Sequence, residues 1–452
     1  MNTQLVVASS LFDTVAASAA VQAGLLGDPD QRVLLQTRNG LAPELVTAPA
    51  QVLGADRVLT AFDRVVTLND LISPAHPMSY SPLLGRDRAG QALVLQRLLR
   101  RFWDLGDGPV ELVLESLAGN PSSWLAAVFH DSPITVISDG LMSYGPTRNR
   151  QPLTVGQRIQ ALVHVDLVPG VRPVLLHELG VPARAIPNES VTKAFADLAD
   201  GIRVGRPSAI PAVDDVPTGL VLGQYLADLR LLTRAEEDDL QAELVWSAVD
   251  AGAERIWFKP HPAAPPGSLE PVRRAAVAAG VELRMITEPV PAEVLVGQLS
   301  PVVVAAAFST ALMTSRTLYD CRIVSAGTEV LLRRLRPYQN SNRIPVTIID
   351  ALTRSDSPYR SSWELQTLVD AVAHAMQPRL LADLRGGAQT FWASRPVAER
   401  ARYGPPAPAT RLLRHATRRG LLAALSHPAL APLERSTRQT RARRRVNRWA
   451  RV

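Results

Sequence analysis

The 452-residue chain contains a single cysteine, Cys321, and only two lysines, Lys193 and Lys259, among its 49 basic residues. One cysteine excludes an intramolecular disulfide framework and is typical of a reducing, cytosolic setting. The chain has no run of 18 apolar residues and no basic segment ahead of its apolar N-terminus, so we predict neither a transmembrane helix nor a signal peptide. Lys259 either survives the arginine bias by chance or is kept for its compact ammonium group, which arginine does not reproduce.

Common nucleotide-binding and metal-binding signatures are also missing. The sequence has no G-x-G-x-x-G motif and no Walker A loop, so it predicts no dinucleotide site and no ATP-hydrolysing site. No pair of Asp or His residues has the spacing of a metal site. We therefore predict neither a bound cofactor nor a metal centre.

Basic charge is concentrated at the C-terminus. Residues 411–452 carry twelve arginines and one acid, Glu434, a net charge of +11, which leaves −4 for residues 1–410. Leucines between these arginines recur at roughly helical spacing, as in Leu421, Leu422 and Leu425. This pattern favours a basic amphipathic helix on an anionic membrane surface, with a solvated disordered end as the alternative. No nucleic-acid-binding module precedes the tail, which argues against nucleic acid as a partner.

Apolar, β-rich runs alternate with helical stretches along the chain, which is the pattern of an α/β protein. The predicted strands of the first half lie in TQLVVASS, RVLLQTR, RVLTAFDRVVTL, VELVLES, ITVISDG and ALVHVDLVPG. Those of the second half lie in GLVLGQYL, RIWFKPHP, VELRMIT, PVVVAAAF, CRIVSAG and PVTIIDAL. Several runs are apolar almost throughout, as expected for parallel sheets covered by helices on both faces.

Between the two series, the segment GRPSAIPAVDDVP at residues 205–217 replaces apolar periodicity with proline, glycine and aspartate and predicts a linker. We therefore predict two Rossmann-like domains at 1–208 and 219–400, a linker at 209–218 and a basic tail at 401–452. Ligands of such sheets bind beyond the carboxyl ends of the strands, so we expect the site in the cleft between the domains.

In the first half, Asp139 and Gly140 follow the predicted strand ITVIS. A carboxylate on a tight glycine turn at a strand end is a candidate general base if its pKa is raised. Ser-Asp-Gly is also an ordinary turn sequence. Ser9, Ser10 and Glu115 follow two further strands. They are candidates for lining the side of the cleft where an acceptor would bind, although hydroxyl-rich turns often only cap helices.

In the second half, the sequence Lys259-Pro260-His261-Pro262 follows an apolar strand. The prolines stiffen the backbone around His261, whose ring can donate to a phosphate oxygen or protonate a leaving phosphate, and Lys259 can add a positive charge nearby. His-Pro also occurs at two other places in the chain, where no apolar strand precedes it. Strand context therefore distinguishes His261.

Ser309 and Thr310 stand where an apolar strand runs into a helical segment. Such hydroxyls cap helices, and a helix N-terminus with free N–H groups also binds a phosphate. Pro262, Ser309 and Thr310 thus complete a predicted phosphate-binding set with Lys259 and His261.

Taken in order, the acidic-Gly turn, the Lys-Pro-His-Pro segment and the downstream Ser-Thr pair resemble the bacterial sialyltransferases, closest to the polysialyltransferase-family glycosyltransferases. HVDLVPGVRPVLLHELGVP and LVLGQYL are similar to that family as well. The resemblance covers roughly residues 3–400 and leaves the basic tail outside. The chain differs from the family at Ser138, which replaces the first acid of a two-acid motif.

The resemblance implies a GT-B fold and inverting, metal-independent transfer of a nonulosonic acid such as sialic acid from a CMP-activated donor to a glycan or glycolipid. It implies that Asp139 is the general base, and that His261, Ser309 and Thr310 bind the CMP phosphate. With the basic tail, it places the protein in the cytoplasm on the inner face of the plasma membrane. The alternatives are a CDP-polyol phosphotransferase, a Kdo-type transferase, or a catalytically silent membrane-binding protein.

Overall fold

The computed structural model of the chain describes residues 1–40, 43, 47–83, 87–261 and 269–406. The chain separates into two compact units, Met1–Gly404 and Pro405–Val452, and all the strands and helices given below belong to the first. Within the described residues, no helix combines the length and the apolarity needed to cross a bilayer. The predicted amphipathic helix of the tail lies outside the described residues.

The first sheet has seven strands in the order β3-β2-β1-β4-β5-β6-β7, and every ladder in it is parallel. Its strands are β1 (Thr3–Ala8), β2 (Gln31–Gln36), β3 (Arg64–Thr67), β4 (Val110–Leu114), β5 (Ile134–Ser138), β6 (Ile159–Val165) and β7 (Ala183–Ile186). The central strands are buried along nearly their whole length, which explains their continuous apolar sequence.

The second sheet has five parallel strands in the order β10-β9-β8-β11-β12. Its strands are β8 (Thr218–Leu222), β9 (Arg255–Lys259), β10 (Glu282–Met285), β11 (Val303–Ala306) and β12 (Ile323–Ser325). A single hydrophobic core joins one face of the first sheet, with Val6 and Ile137, to the second sheet, with Leu220 and Val304. The other face of the first sheet has a separate core that contains Trp103.

Helices connect the strands and cover the sheets. They are α1 (Leu11–Gln22), α2 (Asp56–Leu59), α3 (Leu68–Ile72), α4 (Arg88–Phe102), α5 (Ser122–Val128), α6 (Leu153–Gly156), α7 (Asn188–Gly205), α8 (Arg234–Asp250), α9 (Glu270–Ala279), α10 (Ala292–Leu299), α11 (Thr310–Tyr319), α12 (Thr328–Arg334), α13 (Arg343–Thr353), α14 (Ser362–Met376), α15 (Arg385–Ser394) and α16 (Val397–Tyr403). Capping boxes begin α1, α8 and α14, because each starts with Ser or Thr followed three residues later by an acid.

The α/β class and the two parallel sheets predicted from the sequence are confirmed, but one predicted strand is wrong. PVTIIDAL lies in α13, whose residues from Arg343 to Ala351 are all buried. A short apolar run buried on all sides has no period that separates strand from helix. The Arg343 guanidinium donates to the carbonyl oxygens of Tyr338, Leu332 and Leu335 at 2.7–3.2 Å and so anchors the start of α13.

Two further differences concern the first sheet. RVLTAFDRVVTL contains helix α2 before the strand β3, so only its end is extended. The edge strand β7 was not predicted, because three of its four residues are exposed and its sequence shows no apolar alternation.

The domain bounds of 1–208 and 219–400 stay predictions. Beyond α13 the chain contacts the loop between β5 and β6, since Gln377 Nε2 donates to the Arg148 carbonyl at 2.9 Å.

Both sheets change strand order at a defined place. In the first sheet the order reverses between β1 and β4, and in the second between β8 and β11. Parallel α/β sheets bind ligands outside the carboxyl ends of their strands at this switch point. The residues that follow these four strands are therefore the place to look for a site.

Candidate functional site

Three carboxyl groups meet at the switch point of the first sheet. Glu115 directly follows β4, Asp139 directly follows β5, and Asp13 stands in the first turn of α1 after β1. The Ser9 N–H donates to Glu115 Oε2 at 2.9 Å and to Asp13 Oδ2 at 3.2 Å, so it joins two of the acids. The negative charge of Asp13 also raises the pKa of both Glu115 and Asp139, so the three acids act on one another. We refer to Asp13, Glu115 and Asp139 as the carboxyl cluster.

The start of α1 fixes one member of this cluster. Ser10 Oγ accepts from the Asp13 N–H at 3.0 Å, and Asp13 Oδ2 in turn accepts from the Ser10 N–H at 2.8 Å. This reciprocal arrangement is a capping box, and it orients the Asp13 carboxylate back over the end of β1. Ser9 and Ser10 therefore serve to place a carboxyl group, in addition to capping the helix.

The surroundings of Glu115 and Asp139 change the proton affinity of these two carboxyl groups. Burial, and then the negative charge of Asp13, raise the pKa of Glu115 to about 8. Burial likewise raises the pKa of Asp139 well above its ordinary value, with further contributions from Asp13 and Glu115. Like charges held close together in a poorly hydrated place disfavour full ionisation. The cluster therefore holds protons at a pH where isolated carboxyl groups have lost them.

A cavity of about 590 Å³ opens over these carboxyl groups. All three members of the cluster line it, together with Ser9 and the buried Ser138. Other walls come from loops of the first half and from the segments before α13 and after α14: Asn39, Met78, Asn120, Met142, Arg148, Gln339, Ser341 and Gln377. The volume and the polar lining are suitable for a sugar-sized ligand.

At the switch point of the second sheet, the segment after β8 holds the segment after β11. Gln224 Oε1 accepts from the N–H groups of Ala307 and Phe308, both at 3.1 Å. A Cβ on Gly223 would lie 2.8 Å from the Phe258 ring, so the chain passes too close to β9 for any side chain at this position. Gly223 and Gln224 together fix the turn that leads to α11.

Ser309 begins α11 as its N-cap, with its hydroxyl oxygen accepting from the Ala311 N–H at 3.2 Å. Thr310 is the first residue of the helix. A Cβ built on Gly140 lies 3.4 Å from Thr310 Oγ1, so the turn after β5 faces the N-terminus of α11. The Asp139 turn and the Ser309-Thr310 turn, predicted separately from the two halves of the sequence, are brought together.

His261 follows β9 and packs against Tyr225, with ring centroids 4.3 Å apart and planes inclined by 43°. Burial, and then the positive charge of Lys259, lower the pKa of His261. Burial also lowers the pKa of Lys259, and the charge of Glu293 on α10 opposes this shift. Glu293 accepts from the Thr314 hydroxyl at 3.0 Å. Lys259 is thus linked electrostatically to the helices beneath the sheet as well as to His261.

The structure places the sequence-predicted residues at the carboxyl ends of central strands. Ser9, Ser10, Glu115, Asp139 and Gly140 follow strands of the first sheet. Lys259, His261, Ser309 and Thr310 end or follow strands of the second. Pro262 lies outside the described residues. The roles assigned to these residues stay predictions.

Three residues with a place in this arrangement were not predicted as site residues: Asp13, Gln224 and Tyr225. The capping-box spacing from Ser10 to Asp13 is a signal for the first. LVLGQYL contains the other two, but their contacts are with residues more than 30 positions away, which the sequence does not show. Within the ranges that the structure describes, no group of three or more His, Cys, Asp or Glu side chains has the arrangement of a metal site.

A family model of alpha-2,8-polysialyltransferases (POLYST) matches residues 4–328, a range that contains both sheets. The chain belongs to this family. The resemblance drawn from the motifs is therefore confirmed, and the protein is a sialyltransferase-family glycosyltransferase with a GT-B fold. The match ends short of the C-terminal helices, which the motif resemblance had included.

Solved structures similar to this polysialyltransferase-family protein are distant. They include the GT-B domain of a sialyltransferase from Photobacterium damselae (13% identity, 77% of this chain and 96% of that chain, TM-score 0.41). MurG from Acinetobacter baumannii is 12% identical, with 86% of this chain and 94% of that chain covered and a TM-score of 0.37. A mutant O-GlcNAc transferase from Thermobaculum terrenum is 15% identical, with 92% of this chain and 67% of that chain covered and a TM-score of 0.34. Comparison with curated proteins gives no match.

Proposed function

We propose that this glycosyltransferase moves sialic acid, or a related nonulosonic acid, from a CMP-activated donor to a hydroxyl group of a glycan or glycolipid, with inversion and without a metal ion. The observation that carries the proposal is the position of the Asp139-Gly140 turn opposite the N-terminus of α11. A carboxyl group stands on one side of this gap and an anion-binding helix end on the other. Inverting transfer needs this pair of functions on opposite sides of the reacting carbon.

On the first-sheet side, Asp139 is the proposed general base. Its carboxylate takes the proton of the acceptor hydroxyl while the oxygen attacks the anomeric carbon. A base works best when its pKa lies near the working pH, and the carboxyl cluster raises the pKa of Asp139 in that direction. Glu115 and Asp13 bring acidic side chains to a site where Ser138 replaces the first acid of the family motif.

On the second-sheet side, the bond from the anomeric carbon to the CMP phosphate breaks, and the electron pair leaves with the phosphate oxygen. Ser309, Thr310 and the first N–H groups of α11 are the proposed ligands of that phosphate. His261 is the proposed donor to its growing charge, and Lys259 adds a positive charge nearby. Preorganised donors of this kind stabilise the transition state because they need no reorientation as the charge forms.

The proposal extends to the place of action. We propose a cytoplasmic protein that lies on the inner face of the plasma membrane, held to anionic lipids by the arginine-rich tail of residues 411–452. The net charge of +11 in that segment supports this attachment.

Ligand-dependent thermal stability tests the donor class. A ligand that binds only the native state raises its midpoint of unfolding in proportion to ln(1 + [L]/Kd). We expect CMP to stabilise the protein and UMP to have little effect at equal concentration. A turnover panel of CMP-sialic acid, CMP-Kdo, CDP-glycerol and UDP-sugars then identifies the donor. Stabilisation by UMP equal to that by CMP, or turnover of CDP-glycerol alone, would contradict the proposal.

A further inference from the structure

Helix α4 presents an unusual outer face. Four of its side chains, Leu93, Val94, Leu98 and Phe102, are 47–60% exposed, although all are large and apolar. Single exposed apolar residues are common on protein surfaces, but several on one short helix mark an interaction surface. The opposite side of α4 buries Ala92 and Leu99, and Leu99 belongs to the core that contains Trp103.

The exposed side chains form two parallel stripes. Val94, Leu98 and Phe102 follow one another at intervals of four residues and so lie in one apolar row. Leu93, Arg97 and Arg101 form the neighbouring row at the same interval. We refer to these six residues as the α4 face. Arginine side chains beside an apolar row can extend their charged ends toward headgroups while their stems stay on apolar surface.

The charges of this face are not compensated within the helix. α4 carries four arginines and no acidic residue. Among ion pairs between described residues, none involves an arginine of α4. Of the acids at its two ends, Asp87 accepts from the Gly90 N–H at 2.9 Å and Asp104 pairs with Arg64 at 2.9 Å. The α4 face is thus both apolar and positive.

We propose that the α4 face docks the protein on an anionic lipid bilayer, independently of the arginine-rich tail. A helix that combines an apolar row with arginines lies in the plane of the membrane interface, with its apolar side chains among the acyl chains and its arginines at the headgroups. A protein partner with an apolar, acidic groove and a second copy of the chain are the competing occupants. The uncompensated arginines disfavour the second copy, because self-association would bring like charges together.

The inference does not depend on the proposed reaction, and vesicle binding by the full-length protein tests it. The vesicles are phosphatidylcholine alone and phosphatidylcholine with phosphatidylglycerol. Val94→Glu/Leu98→Glu replaces two of the three side chains of the apolar row, and Arg97→Gln/Arg101→Gln removes two charges. We expect each double variant to bind the anionic vesicles about tenfold or more weakly than the wild type. Binding by the arginine variant should also fall less steeply as salt is added.

Val277→Glu is the matched control, because Val277 is 81% exposed and lies on α9 in the second half. It should bind vesicles like the wild type, and all variants should keep the wild-type midpoint of unfolding. A variant of the tail, Arg443→Gln/Arg444→Gln/Arg445→Gln, separates the two attachments. The inference is wrong if the wild type binds neither vesicle, or if the tail variant loses binding while both α4 variants keep it. It is also wrong if the wild type is a dimer that Val94→Glu/Leu98→Glu converts to a monomer.

Discussion

Gly140 and Thr310 face each other across the gap between the two sheets, with a Cβ at Gly140 placed 3.4 Å from Thr310 Oγ1 and 3.8 Å from its Cγ2. Gly140 has φ −125° and ψ −176°, which is extended backbone open to any residue. The size of the side chain at this position is therefore limited by the space across the gap and not by the turn itself, and a methyl group would be in van der Waals contact with Thr310. Further side-chain atoms that extend toward α11 would press on Thr310.

Gly140 variants should show this spatial limit. We expect Gly140→Ala to keep its free energy of unfolding within about 0.5 kcal/mol of the wild type and most of its turnover. Gly140→Val should lower turnover by about tenfold or more, because its extra methyl groups push Thr310 away from the gap. Thr310→Ser removes Cγ2 and should partly restore turnover in the Gly140→Val background. Gly386→Val is the control, since a side chain there meets open space. Full activity of Gly140→Val would show that the two turns do not need to approach.

Asp139→Asn removes the proposed base but keeps the size and most hydrogen bonds of the side chain. We expect kcat to fall by about 10²–10⁴-fold, while the Kd for CMP measured by calorimetry changes little. Asp131→Asn is the matched control, because its carboxyl group lies on the surface near His130 and away from the cavity. If Asp139→Asn turns over at the wild-type rate, another group takes the proton.

Much of this arrangement could be predicted from the sequence, because strand ends are local features. The apolar run before Asp139, and the one before His261, each places its polar residue at the edge of a parallel sheet. The contacts that join the turns are not local. The Gly140–Thr310 approach spans 170 positions, and no periodicity or turn rule encodes it. The buried helix α13 was taken for a strand for a related reason, since only the tertiary structure shows that it is enclosed on all sides.

Glu115→Gln should shift the pH dependence of turnover. The negative charge of Glu115 contributes to the raised pKa of Asp139, after burial and Asp13. Removing that charge lowers the pKa of Asp139, so the rise of kcat/KM with pH should move to lower pH. Glutamine retains an oxygen to accept from the Ser9 N–H. Glu111→Gln is the control. Glu111 lies near the start of β4, the strand that Glu115 follows, and its substitution should leave the pH profile unchanged. A profile of Glu115→Gln that superposes on the wild type would show that the two acids are not coupled.

The same substitution should stabilise the protein at alkaline pH. The pKa of Glu115 is raised to about 8 in the folded protein, from about 4.3 in an unfolded chain. Protonated Glu115 stabilises the folded protein relative to the unfolded chain. This stabilisation is complete below the pKa of Glu115 in the unfolded chain and is lost as the pH rises through about 8. Glu115→Gln should therefore have a higher midpoint of unfolding than the wild type at pH ~8, by about 1 °C per kcal/mol recovered in a chain of this length, and no advantage near pH ~4. Equal midpoints at both pH values would show that Glu115 ionises without cost.

Gln224 offers a test of positioning at the donor side, because its side-chain oxygen holds the backbone that leads to Ser309. Gln224→Ala leaves the N–H groups of Ala307 and Phe308 without their acceptor, which costs about 1–3 kcal/mol, and frees the turn before α11. We expect the Kd for CMP and the KM for the donor to rise about tenfold, with a smaller change in kcat.

Gln224→Glu separates geometry from charge at this position. It keeps an acceptor oxygen for both N–H groups, so the midpoint of unfolding should stay near that of the wild type. Its negative charge should still weaken CMP binding, and this loss should shrink as salt is added. Gln389→Ala, on the exposed side of α15, is the control and should leave binding unchanged. Wild-type CMP affinity in both Gln224 variants would show that the phosphate does not bind at the start of α11.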